Sequence, residues 1–272
     1  MNRIDCCLSS LKQAGRKALV TYLVVGDPRL DVSLDAMHAL VAAGADILEL
    51  GIAFSDPMAE GPVIQRGHER ALAQGATLLR TLDLVRQFRQ TDTTTPIVLM
   101  GYANPVERMG YETLASKARE VGVDGLLTVD LPPEEAHDLQ AALHAKDIKS
   151  IFLLAPTTTD GRMDAVAALA SGFIYYVSLK GVTGAGNLDT QAVKSKLDQI
   201  RQHTRLPLMV GFGIKDADSA KAVATCADGV VVGSVLVDAM GSMVDKDNAQ
   251  ICAALSDIVK PIRQAIDAIV AS

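Results

Sequence analysis

The sequence predicts an α/β fold: a single closed (β/α)8 barrel, the TIM-barrel architecture, spanning residues 1–272 with an extra N-terminal helix. Eight short apolar runs recur along the chain, with helical patterns between most of them. The runs are continuously hydrophobic rather than alternating, as strands covered on both faces are, and parallel sheets are covered on both faces. Length agrees, since a barrel of this kind occupies about 250 residues as one domain.

The elements follow in order. A helix near residues 2–14 precedes the first strand and would cap the bottom of the barrel. The run ALVTYLVV (18–25) is strand one, followed by the helical pattern DVSLDAMHALVAAGA (31–45). There Val32, Leu34, Ala36, Met37, Leu40, Val41 and Ala43 make a broad apolar stripe that Gly44 is placed to end. DILELGI (46–52) is strand two, with a helix at 77–90, and PIVLMGY (96–102) strand three, with a helix at 110–121. DGLLTVD (124–130) and SIFLLAP (150–156) are strands four and five, with helices at 133–146 and 161–170. GFIYYVS (172–178), PLMVGFG (207–213) and DGVVVGS (228–234) complete the set, with helices at 190–203, 216–226 and 247–271. The polar patch RQTDTTTP (89–96) reads as one loop. The rival architecture, an open doubly wound sheet, should carry a G-x-G-x-x-G turn after its first strand. Here that strand runs into VVGDPRLD instead.

Composition narrows the function. A net charge of −6, with no run of five Lys or Arg, lacks the basic footprint of a nucleic-acid binder. Cys6, Cys7, Cys226 and Cys252 show no C-x-x-C spacing and no cluster with His, so neither a zinc site nor a disulfide framework is expected. The N-terminus has no signal-peptide core, and nowhere do 18 uncharged apolar residues run together; the expectation is a soluble, cytoplasmic protein.

Active sites of such barrels lie at the C-terminal ends of the strands, which makes Glu49 the leading candidate. Ile47, Glu49 and Gly51 share one face of their strand, opposite Leu48, Leu50 and Ile52. An acid among these neighbours faces the barrel mouth, or is buried and satisfied by backbone or an arginine. Asp130 reads equally well as a turn residue, Asp27 more weakly as a functional one, and Asp56, before a proline, as a turn cap. His68, His137, His144 and His203 read as surface residues, so no metal site is expected. LKGVTGAGN (179–187), GFGIKDAD (211–218) and GSVLVDAM (233–240) follow strands six, seven and eight. The loops after strands seven and eight, with a short helix opened by Gly233 and Ser234, suit a phosphate held by backbone N–H groups and a helix dipole.

Through ELGIAFSDPMAEGPVIQ (49–65), GVTGA (181–185) and GFGI (211–214), supported by GDP (26–28), the sequence resembles the tryptophan synthase alpha chain over essentially its full length. The resemblance implies cleavage of indole-3-glycerol phosphate to indole and glyceraldehyde 3-phosphate, with no cofactor in this chain. It also implies a pyridoxal-phosphate-containing beta chain as partner in an α2β2 assembly. Glu49 matches the family's acid and base, and Glu60 its second carboxylate, which accepts from the indole N–H. Gly184, Gly213, Gly233 and Ser234 match the phosphate cradle, and Thr183 belongs to the mobile loop. Tyr22, Ile64, Met100, Leu127, Tyr175 and Phe212, at strand ends or adjoining loops, would form an apolar slot for the indole.

Two positions depart from the family pattern: Ala53 stands for a proline and Glu60 for an aspartate. One added methylene moves a carboxylate by roughly 1 Å, a displacement that costs on the order of 100-fold where geometry is tight. Ala53 releases the φ that proline would fix, so the loop can settle back to compensate. The first expectation is an active lyase with a re-set loop. The alternatives are a weakened alpha-type subunit serving mainly as binding and allosteric partner of the beta chain, and a stand-alone lyase.

Overall fold

In the computed structural model, which describes residues 2–177, 190–211 and 213–269, eight parallel strands close in sequence order. They are β1 (Ala18–Val24), β2 (Ile47–Gly51), β3 (Ile97–Gly101), β4 (Gly125–Thr128), β5 (Lys149–Leu154), β6 (Ile174–Val177), β7 (Leu208–Gly211) and β8 (Gly229–Val232). β8 returns to pair with β1, so the sheet has no edge. The expected barrel is the observed one, and the strands lie within the apolar runs that announced them except β5, which begins one residue earlier at Lys149.

Around it, among the described residues, lie α1 (Arg3–Gln13), α2 (Val32–Ala42), α3 (Pro62–Ala73), α4 (Leu78–Phe88), α5 (Ala103–Met109), α6 (Tyr111–Val121), α7 (His137–His144), α8 (Asp160–Leu169), α9 (Thr190–His203), α10 (Ala217–Ala224), α11 (Ser234–Gly241) and α12 (Asn248–Asp267). α3 and α5 have no counterpart in the sequence reading. α3, PVIQRGHERALA, breaks its apolar stripe with Gly67 and two arginines, and α5 carries Pro105 in its first turn; both resemble loops by composition. α7 begins at His137 rather than 133, because the carbonyls of Pro132 and Pro133 accept from Glu135 and Ala136 in a turn that precedes it.

The alternation along β2 is used as expected. Ile47 joins Ile4 of α1, Val20, Val98, Leu127, Ile151, Phe173, Met209 and Val231 inside the barrel, whereas Leu48, Leu50 and Ile52 pack outward under the helices. Ile4, fully buried, closes the bottom. Gly44 ends α2 with φ +111°, and the Arg263 side chain lies so close that a Cβ there would meet it at 2.7 Å.

The lower rim is held by a repeated device. One residue before β2, β4 and β8 stands an aspartate that accepts from a backbone N–H of the preceding strand: Asp46 from Leu19, Asp124 from Ile97 and Asp228 from Leu208, at 2.8 to 2.9 Å. Before β6 the same bond is made by Ser171 Oγ to Ser150 N–H, at 2.9 Å. Arg263 pairs with Asp46 at 2.8 Å, and Arg3 and Arg89 both pair with Asp124 at 2.9 Å. Asp124, which is buried, and Asp46, which is largely so, are thus paired and hydrogen-bonded, as a buried charge requires. The four cysteines are unpaired. Among the described residues no helix is long and apolar enough to cross a membrane, and no group of three His, Cys, Asp or Glu side chains could hold a metal.

Candidate active site

At the upper rim the barrel opens into a cavity of about 450 Å³. Tyr22 of β1, Glu49 of β2, Met100 of β3, Tyr175 of β6, Glu60 and Ile64 from the β2–α3 segment, and Gly213, Gly233 and Ser234 all line it. Residues far apart in sequence meet here because parallel strands bring all their C-terminal ends to one side.

Glu49 sits on the cavity floor. It is 1 % exposed, and neither carboxylate oxygen has a hydrogen-bond partner among the described residues. The acid satisfied by backbone or arginine, which the sequence left open, is not what forms. Burial, and secondarily the charge of Glu60, pushes its pKa up to about 8. Glu60, half-buried on the loop, is raised to about 7 by burial. Desolvation penalises the charged form of each, so both stand poised near neutrality rather than fully ionised.

The loop carrying Glu60 is fixed by bonds along its length. Phe54 N–H donates to His68 Nδ1 at 3.1 Å, and the Phe54 ring stacks on Tyr102 with centroids 5.2 Å apart. The Tyr102 hydroxyl accepts from Ala59 N–H at 3.1 Å, Glu60 N–H donates to Pro57 O at 3.0 Å, and Gln65 Nε2 donates to Glu60 O at 2.8 Å. Ala53 packs beneath, in a small cluster with Tyr22, Val24, Ala71, Ala76 and Val237. Asp56 stands in a turn, its carbonyl accepting from Met58 N–H at 2.8 Å, but its carboxylate takes Ser55 Oγ at 2.5 Å and not the backbone N–H that the expected turn cap would hold.

α3 is anchored by Asp27, which is fully buried and takes Arg70 in two bonds of 2.6 and 2.9 Å. The weak functional candidate is thus a structural one. Asp130 is structural too, its carboxylate accepting from Ala103 N–H at 2.7 Å where α5 begins. His68 departs from the surface position expected of it. It is 2 % exposed, because Gly67 lets α3 press against Val237 of α11 and turns the imidazole inward.

Leu127 is a correction within the apolar slot. It is fully buried in the inner barrel cluster below the cavity, and the lining residue of that segment is Val129, two positions on. Inward parity was legible, but strands tilt in a barrel, so equal positions in different strands do not reach equal heights. The sequence reading also missed Leu153, Val177 and Ile214 in the lining. Inward parity on β5 and β6 would have found the first two. Thr183, Gly184 and Phe212 lie outside the described residues.

On the far side of β1 from Glu49, where β8 leads into α11, the N-terminus of that helix meets the cavity. Gly233 is its N-cap, and its carbonyl takes the N–H groups of both Leu236 and Val237. Amides earlier in the first turn have no intrahelical acceptor and supply a positive field suited to an anion. Two carboxyl groups with raised pKa values and an anion-seeking helix end, both lining one cavity, suit a substrate that carries a phosphate and undergoes acid–base chemistry.

Residues 8–267 match the model of the family described as tryptophan synthase alpha chain. The chain belongs to that family. The tryptophan synthase alpha chain of Laribacter hongkongensis is 54 % identical over 268 residues, covering 98 % of this chain and all of that one. That of Burkholderia thailandensis is 53 % identical over 267 residues, covering 98 % and 97 %. The crystal structure of the alpha subunit from Legionella pneumophila superposes with a TM-score of 0.91 at 46 % identity, covering 99 % of this chain and 100 % of that one. A tryptophan synthase from M. tuberculosis in an aminoacrylate-bound form gives 0.86 at 32 % identity, covering 98 % and 100 %. Like other tryptophan synthase alpha chains, this is a lyase of tryptophan biosynthesis, cleaving indole-3-glycerol phosphate to indole and glyceraldehyde 3-phosphate.

Proposed function

We propose that Glu49 performs both proton transfers of the alpha-chain reaction and that Glu60 holds the indole nitrogen. The observation that carries this is Glu49 itself: a buried carboxyl on a rigid strand, facing a cavity, without a hydrogen-bond partner among the described residues. Such a group is costly to keep unless a ligand uses it.

The chemistry is a retro-aldol cleavage. Protonated Glu49 gives its proton to indole C3, which leaves positive charge on the ring, centred on nitrogen. The carboxylate of Glu60 accepts from the indole N–H and offsets that charge. Glu49, now ionised, takes the proton of the hydroxyl beside the scissile bond; the carbonyl forms, the C–C electron pair returns to the indole ring, and Glu49 is again protonated. A pKa of about 8 suits an acid that starts and ends the cycle protonated. Gly213, Gly233 and Ser234, with Gly184, would seat the phosphate, Thr183 would belong to the loop that covers it, and Tyr22, Ile64, Met100, Tyr175 and Phe212 would flank the indole.

Proton transfer of this kind needs no cofactor in this chain. We place the chain, acting as one barrel domain in the cytoplasm, with a beta chain that carries pyridoxal phosphate, in an α2β2 assembly. The resemblance to a tryptophan synthase complex from Pyrococcus furiosus, TM-score 0.81 at 34 % identity, supports that partner. The deciding experiment is indole release by the purified chain, alone and with beta chain, beside its Glu49→Gln variant. Release that depends on Glu49 and rises with beta chain is expected; undiminished release by the variant would remove Glu49 from the reaction.

A further inference from the structure

His68 and Tyr22 make a contact that the reaction as described does not use. The imidazole lies between the Phe54 amide, 3.1 Å from Nδ1, and the Tyr22 hydroxyl, 3.4 Å from Nε2. A backbone N–H can only donate, so Nδ1 presents its lone pair, and a neutral ring then carries its single proton on Nε2. Burial keeps the ring neutral, holding its pKa down to about 4. Across the second contact, therefore, Nε2–H donates and the Tyr22 oxygen accepts. The phenol proton is left for another acceptor.

Barrel geometry says where that acceptor sits. Tyr22 and Glu49 are register partners on β1 and β2. The Tyr22 ring leans over β2, so that a Cβ on Gly51 would lie 2.3 Å from its oxygen. Gly51 shares a face with Glu49 and is two residues nearer the mouth, so the hydroxyl stands one step above a carboxylate with no hydrogen-bond partner among the described residues.

We infer that His68 is a positioning residue: it holds the Tyr22 oxygen as an acceptor, so that Tyr22 presents its proton to a substrate hydroxyl oxygen seated over Glu49. A hydroxyl that accepts from above turns its own hydrogen toward the carboxylate below, and that is the proton Glu49 has to remove. The same imidazole grips Phe54, at the root of the Glu60 loop, so one ring fixes the orientation of both ends of the reacting group. The inference rests on the role given to Glu49 above.

The test uses the full-length chain with beta chain present, in the forms Tyr22→Phe, His68→Leu, the two combined, and His68→Asn, with Glu49→Gln as reference. Tyr22→Phe and His68→Leu should each lower kcat about tenfold with much smaller change in KM, and the combination should be no worse than the more damaged single variant, because the two act as one unit. His68→Asn, whose amide oxygen can take the Phe54 N–H while its NH2 faces Tyr22, should recover most of the loss. Nitrogen-15 NMR of the unliganded chain should show His68 protonated on Nε2, with that proton's signal shifting in Tyr22→Phe. Full kcat in Tyr22→Phe, strictly additive losses, or a proton on Nδ1 would overturn the inference. If Glu49→Gln is inactive while Tyr22→Phe is unimpaired, this inference alone fails; if Glu49→Gln is active, the reading of Glu49 fails while the tautomer result stands by itself.

Discussion

Tyr175 of β6 crowds Gly211 of β7 so closely that a methyl group on that glycine would stand 2.1 Å from the phenol oxygen and 2.6 Å from the ring carbon bearing it. The bare α-carbon is what lets a large aromatic ring lie across the strand and wall the cavity.

Gly211→Ala should therefore displace Tyr175. Overpacking of this kind costs about 1–3 kcal/mol, and the displaced ring should raise KM for indole-3-glycerol phosphate more than it lowers kcat. Urea unfolding of the single variant beside the Gly211→Ala/Tyr175→Leu double checks the cause: shortening residue 175 should return most of the lost stability.

What the sequence disclosed follows the same logic of height and parity. Glu49 could be found because an acid ending an apolar strand has few explanations, and Gly233 with Ser234 because a glycine at that junction opens a helix. Leu127 was misplaced because parity says which way a side chain points but not how far up a tilted strand it stands. His68 and α3 were misread because α3 owes its burial to tertiary contacts, the Asp27–Arg70 ion pair and the approach of Gly67 to Val237, rather than to its own apolar pattern. Asp46, Asp124 and Asp228 each precede a strand, yet their partners lie one strand back and in distant helices, beyond local pattern.

The two carboxylates predict a narrow pH optimum. In the roles proposed for them Glu60 works ionised and Glu49 starts protonated, so kcat/KM should rise as the pH passes about 7 and fall as it passes about 8. The two limbs belong to the coupled pair, since the charge of Glu60 is part of what raises Glu49. In Glu49→Gln the alkaline fall should vanish from whatever activity remains; a wild-type profile flat from pH 6 to 9 would contradict the assignment.

Glu60→Asp should be slower than the natural chain. Loop backbone is held at Phe54 by His68 and at Ala59 by Tyr102, so a shorter side chain leaves its carboxylate about 1 Å back from the position proposed for the indole nitrogen. A fall of about 10- to 100-fold in kcat is expected, assayed by indole release with and without beta chain. Restoring proline in the same variant, Ala53→Pro, should recover part of the loss, since the two positions set the loop together.

Asp124→Ala should leave the chemistry alone and damage the fold. It removes the acceptor of Ile97 N–H and the partner of both Arg3 and Arg89, in a site where the acid is almost wholly buried. A loss of about 3–5 kcal/mol is expected for breaking such a pair. Denaturant unfolding should register it, while kcat of the remaining folded protein stays within about twofold of the natural chain.

The aspartates beneath β2, β4 and β8, with Ser171 beneath β6, give the molecule a foundation that shares no residue with the cavity walls. For an engineer this makes the lower rim a chassis. The Glu60 loop and the segments after β6, β7 and β8 can be exchanged for designed sequences and selected for new lyase substrates, while strand register is kept by bonds the exchange never touches. Stability lost in such a library can be restored from below, by strengthening those anchors, without narrowing the range of chemistry explored above.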